Sequence, residues 1–145
     1  MSDDDDTTPS AHHYGITVSD LDESLAFYRD VLGLDVISEF SVGGEAFAEG
    51  VGVDGASAEF AHLDAGGTRV ELVSYDPEGA DRRGGMVNDT GAIHLGLSVP
   101  DVEAFHESLS DDVETVADGP RTTASGTTIL FVRDPDGTPV EILEA

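Results

Sequence analysis

Two stretches of the chain alternate apolar and polar residues with the period of a strand and then change to the period of a helix. Tyr14, Ile16 and Val18 alternate with His13, Gly15 and Thr17, which predicts a strand with one buried face. Asp20 follows as an N-cap, with Glu23 three residues on as its capping-box partner. Leu21, Leu25, Tyr28 and Leu32 recur on one helical face, and Gly33 stands where a helix commonly ends in a left-handed residue. The succession returns later, with Leu95, Leu97 and Val99 as the strand, Asp101 as the cap, and Val102, Phe105 and Leu109 on the helical face. Strand-forming segments follow each helix, at 36–40, 58–63 and 68–75 and again at 115–116, 128–132 and 139–143. Ala65-Gly66-Gly67 and Asp134-Pro135-Asp136-Gly137 carry tight-turn chemistry, so the last two strands of each set are expected as hairpins. Residues 45–55 give a weak signal, either a short helix or an irregular loop.

The two halves also repeat residue by residue. His13-Tyr14-Gly15-Ile16-Thr17-Val18-Ser19-Asp20 aligns without gaps on His94-Leu95-Gly96-Leu97-Ser98-Val99-Pro100-Asp101, sharing H-x-G-x-x-V-x-D. Gly67-Thr68-Arg69-Val70-Glu71-Leu72 aligns on Gly137-Thr138-Pro139-Val140-Glu141-Ile142, and Asp64 and Asp134 each stand seven residues before the glutamate. The expected organisation is therefore a tail over 1–10, a βαβββ module over about 12–76, a Gly-rich charged linker over about 77–91, and a second module over about 92–145. Both modules form one domain, 11–145.

Charge narrows the partners. Thirty-one acids oppose six arginines with no lysine, for a formal net charge of -25 over 145 residues. That balance excludes the basic footprint of a nucleic-acid binder and disfavours an anionic membrane surface. No apolar run reaches the length of a membrane span. Residues 1–10 are acidic and polar, unlike a secretory signal, so a cytoplasmic location is expected. The absence of cysteine removes disulfides, thiolate nucleophiles and Cys-based metal sites. The Asp3–Asp6 run accounts for only four of the acids, so the surplus belongs to the whole chain. Such a surplus is the composition expected of a halophilic protein, because molar salt screens the self-repulsion that would weaken the fold in dilute buffer.

The repeat also selects the chemistry. It places His13 and His94 on the first strand of each module and Glu71 and Glu141 on the last. Their apolar neighbours, Tyr14, Ile16, Val70 and Leu72 and then Leu95, Leu97, Val140 and Ile142, would pack under the helices. The histidines and glutamates then face away from the helices, and a pseudo-twofold pairing of the modules would bring all four into one cleft. Two imidazoles and two carboxylates with open positions suit one divalent ion, with Ni, Co, Mn, Fe and Zn all compatible. His12 is expected on the other face and His106 at the surface; His62 faces either the cleft or the helices, depending on hairpin register. Arg82-Arg83, the one basic pair, belongs to the linker.

The H-x-G-x-x-V-x-D opening, Leu25-Ala26-Phe27-Tyr28-Arg29-Asp30-Val31-Leu32-Gly33-Leu34, Phe131-x-Arg133-Asp134-Pro135-Asp136-Gly137 and the Val140-Glu141-Ile142 ending resemble the vicinal oxygen chelate superfamily. That group includes glyoxalase I, methylmalonyl-CoA epimerase, extradiol dioxygenases, and fosfomycin and bleomycin resistance proteins. The resemblance spans residues 11–145 and implies an α+β fold of two tandem βαβββ modules, cupped around a metal cleft and usually dimeric. It places the metal ligands on His13, Glu71, His94 and Glu141. The His-Glu-His-Glu set is that of bacterial glyoxalase I, although the arginine usual in the first strand of that enzyme is replaced by Ile16-Thr17. Epimerases usually carry Gln where this chain has Glu71.

The function expected from these residues is a metal-dependent lyase or isomerase acting on a small substrate with vicinal oxygens. Glu141, with Glu71 as alternate, would abstract a proton on the way to a metal-stabilised enolate. The alternatives are an antibiotic-type binding protein without turnover and an Fe(II)-dependent extradiol-type dioxygenase.

The distributed charge sets a first prediction. Thermal unfolding in KCl from about 0.1 to 3 M, where the Debye length falls from roughly 10 Å to below 3 Å, should show a midpoint that climbs into the molar range. Metal is held saturating throughout so that ligand linkage does not move the midpoint. A midpoint that is flat or falling above about 0.5 M, where screening of ordinary surface charge is already nearly complete, would contradict the halophilic reading.

Overall fold

The structure is a computed structural model that describes residues 7–82 and 85–144. Residues 1–6 of the expected tail, and Arg83 of the basic pair, lie outside the described residues.

The first module runs β1 (His13–Thr17), α1 (Leu21–Ala26), β2 (Val36–Val42), α2 (Glu45–Val51), β3 (Ser57–Asp64) and β4 (Arg69–Asp76). The second runs β5 (Leu95–Ser98), α3 (Val102–Ser108), β6 (Arg121–Thr122), β7 (Thr128–Arg133) and β8 (Pro139–Glu144). Each module forms a mixed four-stranded sheet, ordered β1-β4-β3-β2 and β5-β8-β7-β6, so strand order repeats along with the sequence. In both, the first strand lies parallel to the last and the remaining pairs are antiparallel. This is the expected βαβββ architecture, twice.

The caps form as the sequence dictates. The Asp20 carboxylate accepts from Glu23 N and that of Asp101 from Ala104 N, each at 3.0 Å, satisfying N–H groups that have no partner within the helix. Beyond Ala26 the first helix widens into a π-helical turn over Phe27–Val31 and stops at Leu32, with Gly33 at φ 78°. The wider turn buries the adjacent rings of Phe27 and Tyr28 together. The weak signal at 45–55 becomes α2, ended by Gly52 at φ 76°.

One strand is displaced from its expected position. Thr115 makes only a single bridge to Val132, and the edge strand of the second sheet is Arg121–Thr122. Backbone bonds from Val116 N to Phe131 O and from Arg133 N to Glu114 O keep 114–116 against β7. The Asp118-Gly119-Pro120 corner then breaks the edge in two, since proline has no N–H to continue a ladder.

The two modules share one hydrophobic core. Ile16, Leu25, Phe27, Tyr28, Leu63, Val70 and Leu72 from the first module join Leu95, Val102, Leu130, Val132, Val140 and Ile142 from the second in a single cluster. The helix-bearing faces of both sheets therefore turn inward. A polar latch crosses the same boundary. Tyr28 donates its hydroxyl to Asp134 Oδ2 at 2.9 Å, while Asp136 N and Thr138 N donate to Asp134 Oδ1. Asp136 in turn accepts from the backbone N and the hydroxyl of Ser19. Asp134 and Asp136 are both buried, so the turn that closes the β7–β8 hairpin also holds the second module to the first.

Burial pushes the Asp134 carboxyl up from its ordinary value. It also drives the Tyr28 phenol far above its usual 10.0, with the neighbouring Asp134 charge adding to the shift. A phenol that ionises in the unfolded chain near pH 10 and stays protonated in the fold contributes stability that is full below that pH and declines as pH rises above it. Tyr28→Phe should lower unfolding free energy at pH 7 by about 1–3 kcal/mol, by leaving the buried Asp134 one donor short. It should also flatten the alkaline loss of stability, as read by urea unfolding between pH 7 and pH 11. Unchanged stability at both ends of that range would contradict the latch.

Candidate metal and proton-transfer site

Alternation along four strands sets the side chains that face away from the shared core. Val70 and Leu72 are buried in it, so Glu71 between them projects from the opposite face of the first sheet. Val140 and Ile142 place Glu141 equivalently on the second sheet. Parallel pairing of β1 with β4 sets Gly15 beside Glu71, and pairing of β5 with β8 sets Gly96 beside Glu141. A Cβ on either glycine would lie 3.9 Å from the neighbouring carboxylate oxygen, in ordinary van der Waals contact, so each glutamate packs directly beside the H-x-G glycine.

Each glutamate meets its expected histidine. His13 Nε2 stands 3.4 Å from Glu71 Oε1, and His94 Nε2 stands 3.2 Å from Glu141 Oε1. Metal–ligand bonds of about 2.1 Å put adjacent donors on one ion about 3 Å apart, so both pairs match one edge of a coordination shell. The donors, two imidazole nitrogens and two carboxylates, fit a divalent ion that accepts mixed N/O ligands.

The four residues do not converge within one chain. They form two pairs on the outward faces of two sheets whose other faces share the core. Among the described residues, no three His, Cys, Asp or Glu side chains are arranged to hold a metal ion. The expectation of one cleft from one chain assumed that the modules meet on their His/Glu faces. They meet on their helix faces instead, because that is where the apolar side chains lie.

The hairpin register decides His62. It lies opposite Glu71, on the same face, and its Nε2–H donates to Glu71 Oε2 at 2.8 Å. It is 6% exposed, its ring stacks on that of His13 at 5.9 Å, and the edge of Phe40 packs against it at 5.1 Å. Two imidazoles, His13 and His62, thus gather around Glu71, although among the described residues these three groups are not arranged to hold a metal ion.

His12 departs from its expected place. It precedes β1, so strand alternation does not govern it, and its Nδ1 lies 2.8 Å from His13 Nδ1. In the tautomer that leaves His13 Nε2 free, His13 Nδ1–H donates to His12. His106 is half-buried on α3, and Arg82 is exposed in the connection between modules. An aromatic wall that sequence reasoning missed stands beside the first pair: Phe40 stacks on Phe60 at 5.0 Å, and Phe47 stacks on Tyr75 at 6.3 Å. The alternation of Phe60 with Ala61 ahead of His62 was the signal available for it.

Known proteins share this fold. The chain is 30% identical over 92% of its length to a 2-epi-5-epi-valiolone epimerase of an Actinomyces species, covering 78% of that protein. It is 31% identical over 91% of its length to a probable lactoylglutathione lyase of Synechocystis, covering 92% of it. A glyoxalase family protein of Bacillus cereus superposes with a TM-score of 0.81 at 22% identity, over 99% of this chain and 97% of that one. The glyoxalase I of Leishmania major superposes with a TM-score of 0.63 at 25% identity, over 94% and 87% of the respective chains. The profile of the Glyoxalase/Bleomycin resistance protein/Dioxygenase superfamily matches residues 10–142, and the chain belongs to that superfamily.

Proposed function

We propose that the chain is a metal-dependent lyase or isomerase that moves a proton on a small substrate with vicinal oxygens, and that its site is completed by a second copy. The observation that carries this reading is the duplicated His–Glu pair, set at the separation of adjacent metal ligands on two outward faces. Each pair supplies half of a four-ligand set. A homodimer that faces the first sheet of one copy with the second sheet of the other brings His13 and Glu71 to His94 and Glu141 of the partner subunit. Exposed apolar side chains beside both pairs, Phe40 next to His62 and Ile93 next to His94, favour covering these faces.

His13 and His94 would hold the ion through Nε2, and Glu71 and Glu141 through their carboxylates. When bound, the ion supplies Lewis-acid polarisation of the substrate oxygens, with Ni, Co, Mn, Fe and Zn all suited to the donors. Glu141 takes the carbon-bound proton and returns it at the new position, with Glu71 as its alternate. The aromatic wall of Phe40, Phe60, Phe47 and Tyr75 excludes water from one side of the site and packs the apolar part of the substrate. The names of the two relatives, an epimerase and a lyase, support the choice of an isomerase or lyase.

Turnover of metal-reconstituted protein with α-keto hemithioacetals, methylmalonyl-CoA and 2-epi-5-epi-valiolone tests the reading. Conversion of any of these supports it. Metal and ligand retention without turnover would make the chain a sequestering protein, and oxygen uptake with a catechol would make it a dioxygenase. His13→Ala and His94→Ala should each lose bound metal by elemental analysis, and unchanged stoichiometry in both would contradict the site. Glu141→Gln should keep the metal and lower kcat by roughly 10²–10⁴-fold, the usual contribution of a positioned base.

A further inference from the structure

The two His–Glu pairs are built alike but supported differently. In the first sheet the residue opposite Glu71 across the hairpin is His62; in the second, the residue opposite Glu141 is Phe131. His62 is buried, stacked on His13, packed by Phe40, and bonded to Glu71 Oε2. Phe131 packs its ring against His94 at 5.1 Å and has no donor to offer Glu141. One carboxylate is therefore held at both oxygens, Oε1 towards His13 and Oε2 towards His62. The other, among the described residues, is held at Oε1 towards His94, with no histidine at its second oxygen.

The geometry points to His62 as a positioning residue that locks Glu71 into the role of a fixed metal ligand, so that the broken symmetry leaves Glu141 as the carboxylate free to move a proton. This rests on the metal-site reading above and deepens it. A carboxylate whose outer oxygen accepts a strong hydrogen bond from a rigid donor cannot rotate off an ion without breaking that bond. Glu141, opposite Phe131 in the hairpin register, carries no such restraint. The arrangement assigns different tasks to two glutamates that the repeat alone makes equivalent.

The test is equilibrium titration of the full-length chain with Co(II), followed by visible absorption. Stoichiometry is read by elemental analysis, and folding by circular dichroism. His62→Phe copies the second module into the first. It should keep the parent stoichiometry and absorption band shape while raising the Co(II) Kd by about 10–100-fold, the usual cost of losing a partner that orients a ligand. His62→Gln, which retains an N–H donor, should restore most of that affinity. Equal affinity in parent and His62→Phe would overturn the proposal. A His62→Gln protein as weak as His62→Phe, or with an altered band, would overturn it in favour of His62 as a ligand itself. Should His62→Phe fail to fold, Phe131→His carries the test: a donor placed opposite Glu141 should tighten Co(II) binding, and no change or weaker binding would refute the idea. Absence of Co(II) binding by the parent would instead defeat the metal-site reading, and this inference with it.

Discussion

A single apolar core lies between two sheets, and the site is a consequence of where that core is. Each sheet buries one face under the helix of its own module, through Val70 and Leu72 in one and Val140 and Ile142 in the other, and these residues join in one apolar cluster. With side chains alternating along every strand, the residues between them can only face outward. Glu71 and Glu141 are those residues, and the parallel neighbours β1 and β5 bring a histidine to each. The polar chemistry is thus displaced to the outer surface of each sheet by the same burial that stabilises the fold. The Tyr28–Asp134 and Ser19–Asp136 bonds reinforce this packing, fixing the modules by their helix sides rather than by their His/Glu faces.

Much of this was legible in the sequence because it depends on local pattern. The caps at Asp20 and Asp101, the β7–β8 hairpin around Asp134-Pro135-Asp136-Gly137, and the duplicated βαβββ order follow from periodicity and turn chemistry. The His13–Glu71 and His94–Glu141 pairings followed from repetition, since the same unusual residues recur at the same strand positions. What stayed hidden depended on relations between elements. The side taken by His62 required the register of the β3–β4 hairpin, which the Ala65-Gly66-Gly67 turn constrains without specifying. Strand alternation does not reach His12, which lies one residue before β1 begins. The split edge at 114–122 reflects a proline corner, which no propensity within 115–116 could reveal.

The relation between modules was the largest of these. Both a cleft within one chain and a pair of outward faces satisfy the strand pattern, because each buries Val70, Leu72, Val140 and Ile142. Choosing between them requires knowing that the Asp134 turn reaches Tyr28 on the far module, a contact spanning 106 residues of sequence. Once that contact is in place, the exposed Phe40 and Ile93 beside the two pairs read as surfaces awaiting cover.

The claim that the site is shared between two copies has a direct measurement. His13→Ala and His94→Ala chains, each unable to hold metal alone, are mixed, unfolded and refolded together. In a reciprocal twofold pair of the kind proposed, each mixed dimer contains one site with both defects and one with none. About half of randomly paired dimers are mixed, so metal should return to about a quarter of all sites. Recovery near that level, absent from either variant refolded by itself, is the predicted result. A mixture that holds no more metal than its components would place all four ligands of each site in one chain and contradict the account.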